Sequence, residues 1–208
     1  MPRSKPSTSV SRDRVFAAAA AEFAARGYAG ANMDRIARAA RLNKAMIYYH
    51  FKSKAALYRE ILRDMFDAVR TSVAEVARSE ATPEDKIRRY VEAIAIAAEA
   101  RPHFPPIWLR ELAEGGEHVD AATLRYVRDV LAALGGIIAE GCEARRFHPA
   151  NTMLVQGGII APLMFFLVST RTRQKIERTV AGGASISRDM VVEHIQRLTL
   201  AQLEGKIS

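Results

Sequence analysis

Between Asn43 and Lys54 the chain reads NKAMIYYHFKSK, a short stretch whose side chains suit the surface of a nucleic acid. Phosphate oxygens accept hydrogen bonds, so they call for donors. Lys44, Tyr48, Tyr49, His50 and Lys54 supply them, together with the free N–H groups of a helix opening at Lys54. Base edges call for short or projecting groups at the start of a helix, and Asn43, Lys44, Ala45 and Met46 stand there. A lysine can donate to guanine O6 and N7, and an alanine or methionine can touch a thymine methyl. Ile47 and Phe51 read instead as the core of a small helical unit. Tyr48 fits either role, and His50 could cap or pack locally.

Chemistry of other kinds is not visible. The sequence has no GxSxG, P-loop, GxGxxG or HExxH pattern. His50, His103, His118, His148 and His194 are scattered without metal-ligand spacing, so no catalytic residue, metal or cofactor is expected. The lone Cys142 rules out an internal disulfide framework and fits a reducing, cytoplasmic setting. No apolar run reaches the roughly 18 residues of a membrane span, so no membrane partner is expected. The N-terminus lacks the apolar core of about 7–15 residues that a secretory signal needs.

Charge locates the same region. The net charge of +8 lies entirely in the first 60 residues, which hold 12 Lys and Arg against 4 Asp and Glu; the remaining 148 hold 19 of each. A basic end on a neutral body is the electrostatic footprint of nucleic-acid binding.

The elements that position these residues follow from apolar spacing and caps. Residues 1–10 are Pro-, Ser- and Lys-rich and are expected to be a basic disordered tail. Ser9 or Ser11 would cap a first helix, with Val15, Phe16, Ala19, Ala20 and Phe23 on its buried side and Gly27 at its end. Asn32 caps a second helix bearing Met33, Ile36, Ala37 and Ala40, and Asn43 caps a third of about two turns. Ser53 caps a long fourth helix, Lys54 to about Ser79. Thr82-Pro83 opens another, to about Ala100. A short helix over about Pro106–Glu114, a long one over Ala121–Arg146, a very apolar one over Asn151–Ser169 and a last one over Ser187–Leu203 complete an all-α chain. Gly135-Gly136 is expected to weaken the long helix and permit close packing or a bend, and Pro162 to kink the apolar one. Arg171–Ser187 reads as a polar, mobile loop.

The run GYAGANMDRIARAARLNKAMIYYHFKSKAALYREIL resembles the helix-turn-helix of the TetR family of transcriptional regulators, over roughly residues 11–62. IYYHFKSKAAL is its most specific part. The resemblance implies an N-terminal three-helix helix-turn-helix domain over 11–56. A helical effector-binding and dimerisation domain would follow over 57–208. It implies that Tyr49, His50 and Lys54 lie at the DNA backbone and the first residues of the recognition helix over base edges. It also implies a homodimer through the two C-terminal helices, about 151–169 and 187–203. The function so implied is a repressor that binds a palindromic double-stranded operator and is released by a small-molecule effector. Large apolar groups on body helices, namely Tyr90, Phe104, Trp108, Tyr126, Met164 and Phe165, are the candidate effector contacts and point to a largely apolar molecule. The alternatives are an activator, a DNA-binding protein without sequence preference, or a helical carrier or enzyme with a basic end. Arg41 stands where the family commonly has a turn glycine, and Met46 is bulkier than the usual residue at its place.

Overall fold

The structure is a computed structural model that describes residues 8–179 and 185–206, all of whose regular structure is helical. Ten helices follow in order: α1 (Thr8–Gly30), α2 (Met33–Ala40), α3 (Lys44–Phe51), α4 (Lys54–Arg78), α5 (Pro83–Glu99), α6 (Phe104–Ala113), α7 (Ala121–Glu143), α8 (Thr152–Val168), α9 (Thr170–Glu177) and α10 (Arg188–Leu203). Most starts are set by local caps. Asn32 accepts from the N–H groups of Asp34 and Arg35, Asn43 from Met46, Thr82 from Asp85, Asn151 from Met153 and Leu154, and Ser187 from Met190.

Packing divides the chain into two units. Unit 1 runs to Met65 and also takes in His103–Thr123; unit 2 holds Phe66–Pro102 and Leu124 onward. The division therefore falls inside α4, nine residues beyond the expected boundary at 56/57, because α4 buries Leu57, Tyr58, Ile61 and Leu62 in unit 1. The more consequential departure is α6. Sequence order puts it between two body helices, yet it packs on α1 in unit 1.

The core of unit 1 is Val15, Ala19, Phe23, Ile36, Ile47, Phe51, Leu57 and Ile61, the apolar faces of α1 to α4. That of unit 2 includes Ile87, Tyr90, Ile94, Leu134, Ile137, Ile159, Leu163 and Ile195 from α5, α7, α8 and α10. Ion pairs brace unit 2: Lys86 to Glu140 at 2.6 Å, Arg146 to Glu84 at 2.5 Å and Arg188 to Glu92 at 2.5 Å.

Several expectations are corrected. α1 already begins at Thr8, so residues 8–10 are helical rather than tail, and Ser11 is buried within the helix. Residues 1–7 of the expected tail lie outside the described residues. The expected loop 171–187 contains α9; residues 180–184 lie outside the described residues. α6 starts two residues early because Pro105 and Pro106 occupy its first turn, where proline costs no helical hydrogen bond. Gly135-Gly136 lie inside α7 and Pro162 inside α8, where the sequence placed them. No single helix among the described residues is long and apolar enough to cross a membrane.

Candidate nucleic-acid interface

The turn between α2 and α3 fixes how the recognition helix is presented. Arg41 closes α2 in the left-handed conformation (φ 53°, ψ 43°), and its N–H returns to Ala37 and Arg38 carbonyls. The place where the family commonly has a turn glycine thus takes a positive φ, borne here by a residue with a Cβ. The guanidinium of Arg14 reaches the Arg41 carbonyl at 3.5 Å.

Glu22 ties α1 to the start of α2. It accepts from the Asn32 N–H (3.1 Å) and from Arg35 Nε (2.7 Å), while Arg35 Nη2 donates to the Gly30 carbonyl (2.6 Å). Burial opposes ionisation of Glu22, but the bonds from Arg35 and Asn32 outweigh it and hold the carboxyl below its ordinary pKa.

On α3, Ile47 and Phe51 point into the core, as expected. The opposite side is open: Tyr49 is 74% exposed and Tyr48 41%, and Asn43, Lys44 and Ala45 are exposed, with Met46 half-buried. Two tyrosines of that exposure offer both a ring and an O–H to a partner. The Oδ1 of Asn43 is engaged as the cap on Met46 N–H (2.8 Å), which leaves its amide N–H₂ as the group that can reach outward. Lys44 Nζ sits 3.0 Å from Asp34 of α2.

His50 and Lys54 occupy positions that sequence alone does not reveal. The His50 ring lies edge-on to Tyr49 (5.3 Å) and Phe51 (6.1 Å), and its Nε2 is buried without a hydrogen-bond partner, so it does not face a solvent-side phosphate in this conformation. Lys54 Nζ donates to the Ala31 carbonyl at 2.8 Å and stands 4.6 Å above the Tyr28 ring. It thereby fastens the start of α4 to the chain just before α2. An ammonium has three N–H donors, so this bracing still leaves donor capacity for a phosphate. Ser53 caps α4 through the Ala56 N–H at 3.0 Å.

Sequence reasoning missed two exposed cations around this face, Arg38 on α2 and Lys52 after α3; Lys52 also has a positive φ of 57°, and Arg41 in the turn is exposed beside them. The charge division signalled them collectively but not singly.

Beneath the helix-turn-helix, α6 supplies a polar clamp within unit 1. Arg110 Nη1 donates to the Phe23 and Ala24 carbonyls, both at 3.2 Å, and so caps the C-terminal end of the first stretch of α1. There Gly27 takes φ 69°, and a Cβ on it would stand 2.7 Å from Arg110 Cδ. The fully buried Glu111 accepts from Tyr58 O–H (2.8 Å) and from the His118 N–H (2.6 Å). Burial first, and then the Glu111 carboxylate, push the Tyr58 phenol well above its ordinary pKa, so it stays a donor. The His118 ring lies tilted against Tyr28, its centroid 3.8 Å away.

The six candidate effector contacts are divided between the two units. Tyr90 is fully buried in unit 2, its O–H bonded to Gln156 (2.8 Å) and the Val130 carbonyl (3.2 Å), and Met164 is fully buried there as well. Tyr126 is half-buried under the Arg70 guanidinium at 5.1 Å. Phe104 and Trp108 belong to unit 1 on α6, their rings 6.5 Å apart. Phe165 alone of the six lines a groove of about 440 Å³ in unit 2, with Phe166, Met190 and Ile195, and with Arg173 and His194 as polar groups. Large apolar residues on helices were the only signal in sequence, and that signal does not separate a core from a cavity wall. No cluster of metal-ligating residues occurs among the described residues.

A model of the family described as "Bacterial regulatory proteins, tetR family" matches residues 15–61, from within α1 to the first third of α4. The chain belongs to the TetR family. It is 28% identical over 162 residues to the HTH-type transcriptional repressor NicS of Pseudomonas putida, covering 77% of this chain and 76% of that protein. It is 26% identical over 193 residues to the HTH-type transcriptional repressor SCO4008 of Streptomyces coelicolor, covering 88% of this chain and 90% of that one. In fold it matches the TetR family regulator PfmR of Thermus thermophilus, with a TM-score of 0.70 at 21% identity over 94% of this chain and 100% of that one. These relatives are regulators rather than enzymes, and this TetR-family chain is a transcriptional regulator whose N-terminal helix-turn-helix is its DNA-binding element.

Proposed function

We propose that this TetR-family protein is a repressor that binds a palindromic operator as a homodimer and is released by a small, largely apolar effector. The observation that carries the DNA contact is the open side of α3, where Lys44, Ala45, Tyr48 and Tyr49 face solvent from a helix whose other side is locked in the core. In this reading Lys44, Ala45, Met46 and the Asn43 amide reach base edges. Tyr48, Tyr49, Lys54 and the opening N–H groups of α4 hold phosphates. His50 joins them only if its ring turns outward.

The exposed face of α8 supports the dimer. Met153 and Leu154 are each 70% exposed and Phe165 69%, and Gly157 and Gly158 have open space where a Cβ would stand. A contiguous apolar face on the most apolar helix suits a second copy, with α10 beside it. The α8–α10 groove supports an apolar effector. For an effector to release DNA it must bind the non-operator conformation better, and the two affinities are then reciprocally linked. Footprinting on the DNA upstream of the protein's own gene tests the reading. A protected short palindrome is the expected result; continuous protection without boundaries would replace it with binding that lacks sequence preference.

A further inference from the structure

Asp34 is the only acidic residue between Glu22 and Glu60, a span that holds eight Lys and Arg. It is exposed, and it is the one carboxylate of the helix-turn-helix itself. A carboxylate on a surface that meets phosphates is repelled by them, so its place needs an account. Part of that account is local: in the first turn of α2 an acid meets the positive end of the helix dipole. That explanation does not require a partner on α3. Yet Asp34 Oδ2 lies 3.0 Å from Lys44 Nζ, ten residues on and across the turn. Both side chains are about half exposed, at 60% and 46%, so burial does not force the contact.

We propose that Asp34 is a specificity-determining positioning residue that holds the Lys44 ammonium for base readout and sets a penalty on its use for phosphates. This inference rests on the DNA-binding reading of α3. The ammonium has three N–H donors. With one on Asp34, the other two are held in a fixed direction and can meet O6 and N7 of a guanine. On DNA without that base, Lys44 has two options. It stays on Asp34 and releases no counterion, or it swings to a phosphate and leaves a bare carboxylate beside the backbone. Either option lowers affinity for the wrong sequence more than for the right one, which is how an introduced repulsion yields discrimination. The Asp34 hydrogen bond, and then its charge, also raise the Lys44 pKa, which favours the charged form.

The test compares two probes: a mixed-sequence duplex, and the duplex recovered from a random library by selection with the wild-type protein. Affinity for each is measured across a salt series for wild type, Asp34→Asn, Asp34→Glu, Lys44→Ala and the double variant Asp34→Asn/Lys44→Ala. Asp34→Asn is expected to bind the mixed duplex several-fold tighter and to gain less, or lose, on the selected duplex, so the ratio of the two affinities falls about 10-fold. Its salt slope on the mixed duplex should steepen by about 0.9 per subunit, one extra phosphate contact. Asp34→Glu should keep most of the ratio. In the Lys44→Ala background the Asn substitution should leave the ratio unchanged. Equal tightening on both duplexes, or a fall in ratio that survives without Lys44, would overturn the inference and leave Asp34 as a helix-end charge. If the wild-type protein binds neither duplex at low salt, the DNA-binding reading itself fails, which is a distinct outcome.

Discussion

At the scale of single residues, backbone strain and recognition meet in Arg41. A left-handed residue with a Cβ costs about 1–2 kcal/mol, and glycine in the unfolded chain gives back roughly 0.5–1 of that. Arg41→Gly is therefore expected to stabilise the fold by about 0.5–1 kcal/mol, read as a melting temperature higher by a few degrees. It also removes an exposed cation beside α3, so affinity for DNA should fall as stability rises. Lys54 makes the opposite pairing of roles. Because Nζ bridges Ala31 and Tyr28, Lys54→Ala should lower thermal stability as well as the salt slope, whereas Lys44→Ala should alter sequence preference with the fold intact. A melt of Lys54→Ala as stable as wild type would show that the bridge contributes nothing. That Arg41 replaces a turn glycine was legible in the sequence, because turn chemistry is local; that its φ is positive came from the structure. The inward Nε2 of His50 and the engaged Nζ of Lys54 were not legible, since both depend on neighbours more than twenty residues away or on ring packing.

At the scale of elements, what holds α1 and α2 in register is Glu22, and the consequence is an acid limit. Its folded pKa is depressed, so its contribution is fully present above the unfolded value and is lost as pH falls through the folded value. Glu22→Gln should flatten the acid limb of a stability-against-pH curve and lower stability at neutral pH; an unchanged acid limb would place the titration elsewhere. The starts of α2, α3, α5, α8 and α10 were all readable, because a cap is a matter of one side chain and the next two or three N–H groups. α9 was not readable: TRTRQKIE buries no residue, so it carries no apolar stripe to betray a helix. Nor was the placement of α6. Its Arg110 and Glu111 serve carbonyls and a phenol on α1 and α4, and such partners lie 50 to 90 residues away in sequence. Arg110→Met keeps most of the packing but removes the cap on α1. It is expected to weaken hydrogen-exchange protection at Phe23–Gly27 specifically, and uniform weakening across unit 1 would argue against a local cap.

For the whole molecule, the charge division was the most telling feature of the sequence. It set a basic first 60 residues against a neutral remainder, and the exposed cations of α2, α3 and the turns between them lie in that part. The body was less legible, because an apolar residue on a helix looks the same whether it faces a core, a cavity or a second copy. Exposure separates these cases: Tyr90 and Met164 are core, while Leu154 and Phe165 are open. Leu154→Glu should leave the melting of the chain nearly unchanged and shift its sedimentation from dimer to monomer, with loss of operator affinity because one recognition helix reads only a half-site. The central claim is that the basic surface around α3 holds a duplex by its phosphates. It is tested most directly by the affinity for a mixed-sequence duplex from about 50 to 200 mM salt, in wild type and in a variant lacking Lys44 and Lys54. The wild type should fall steeply and linearly on log–log axes, by about 10³-fold or more if six or more phosphates are held, and the variant should have a shallower slope. Absence of binding at 50 mM salt, or a slope near zero, would contradict it.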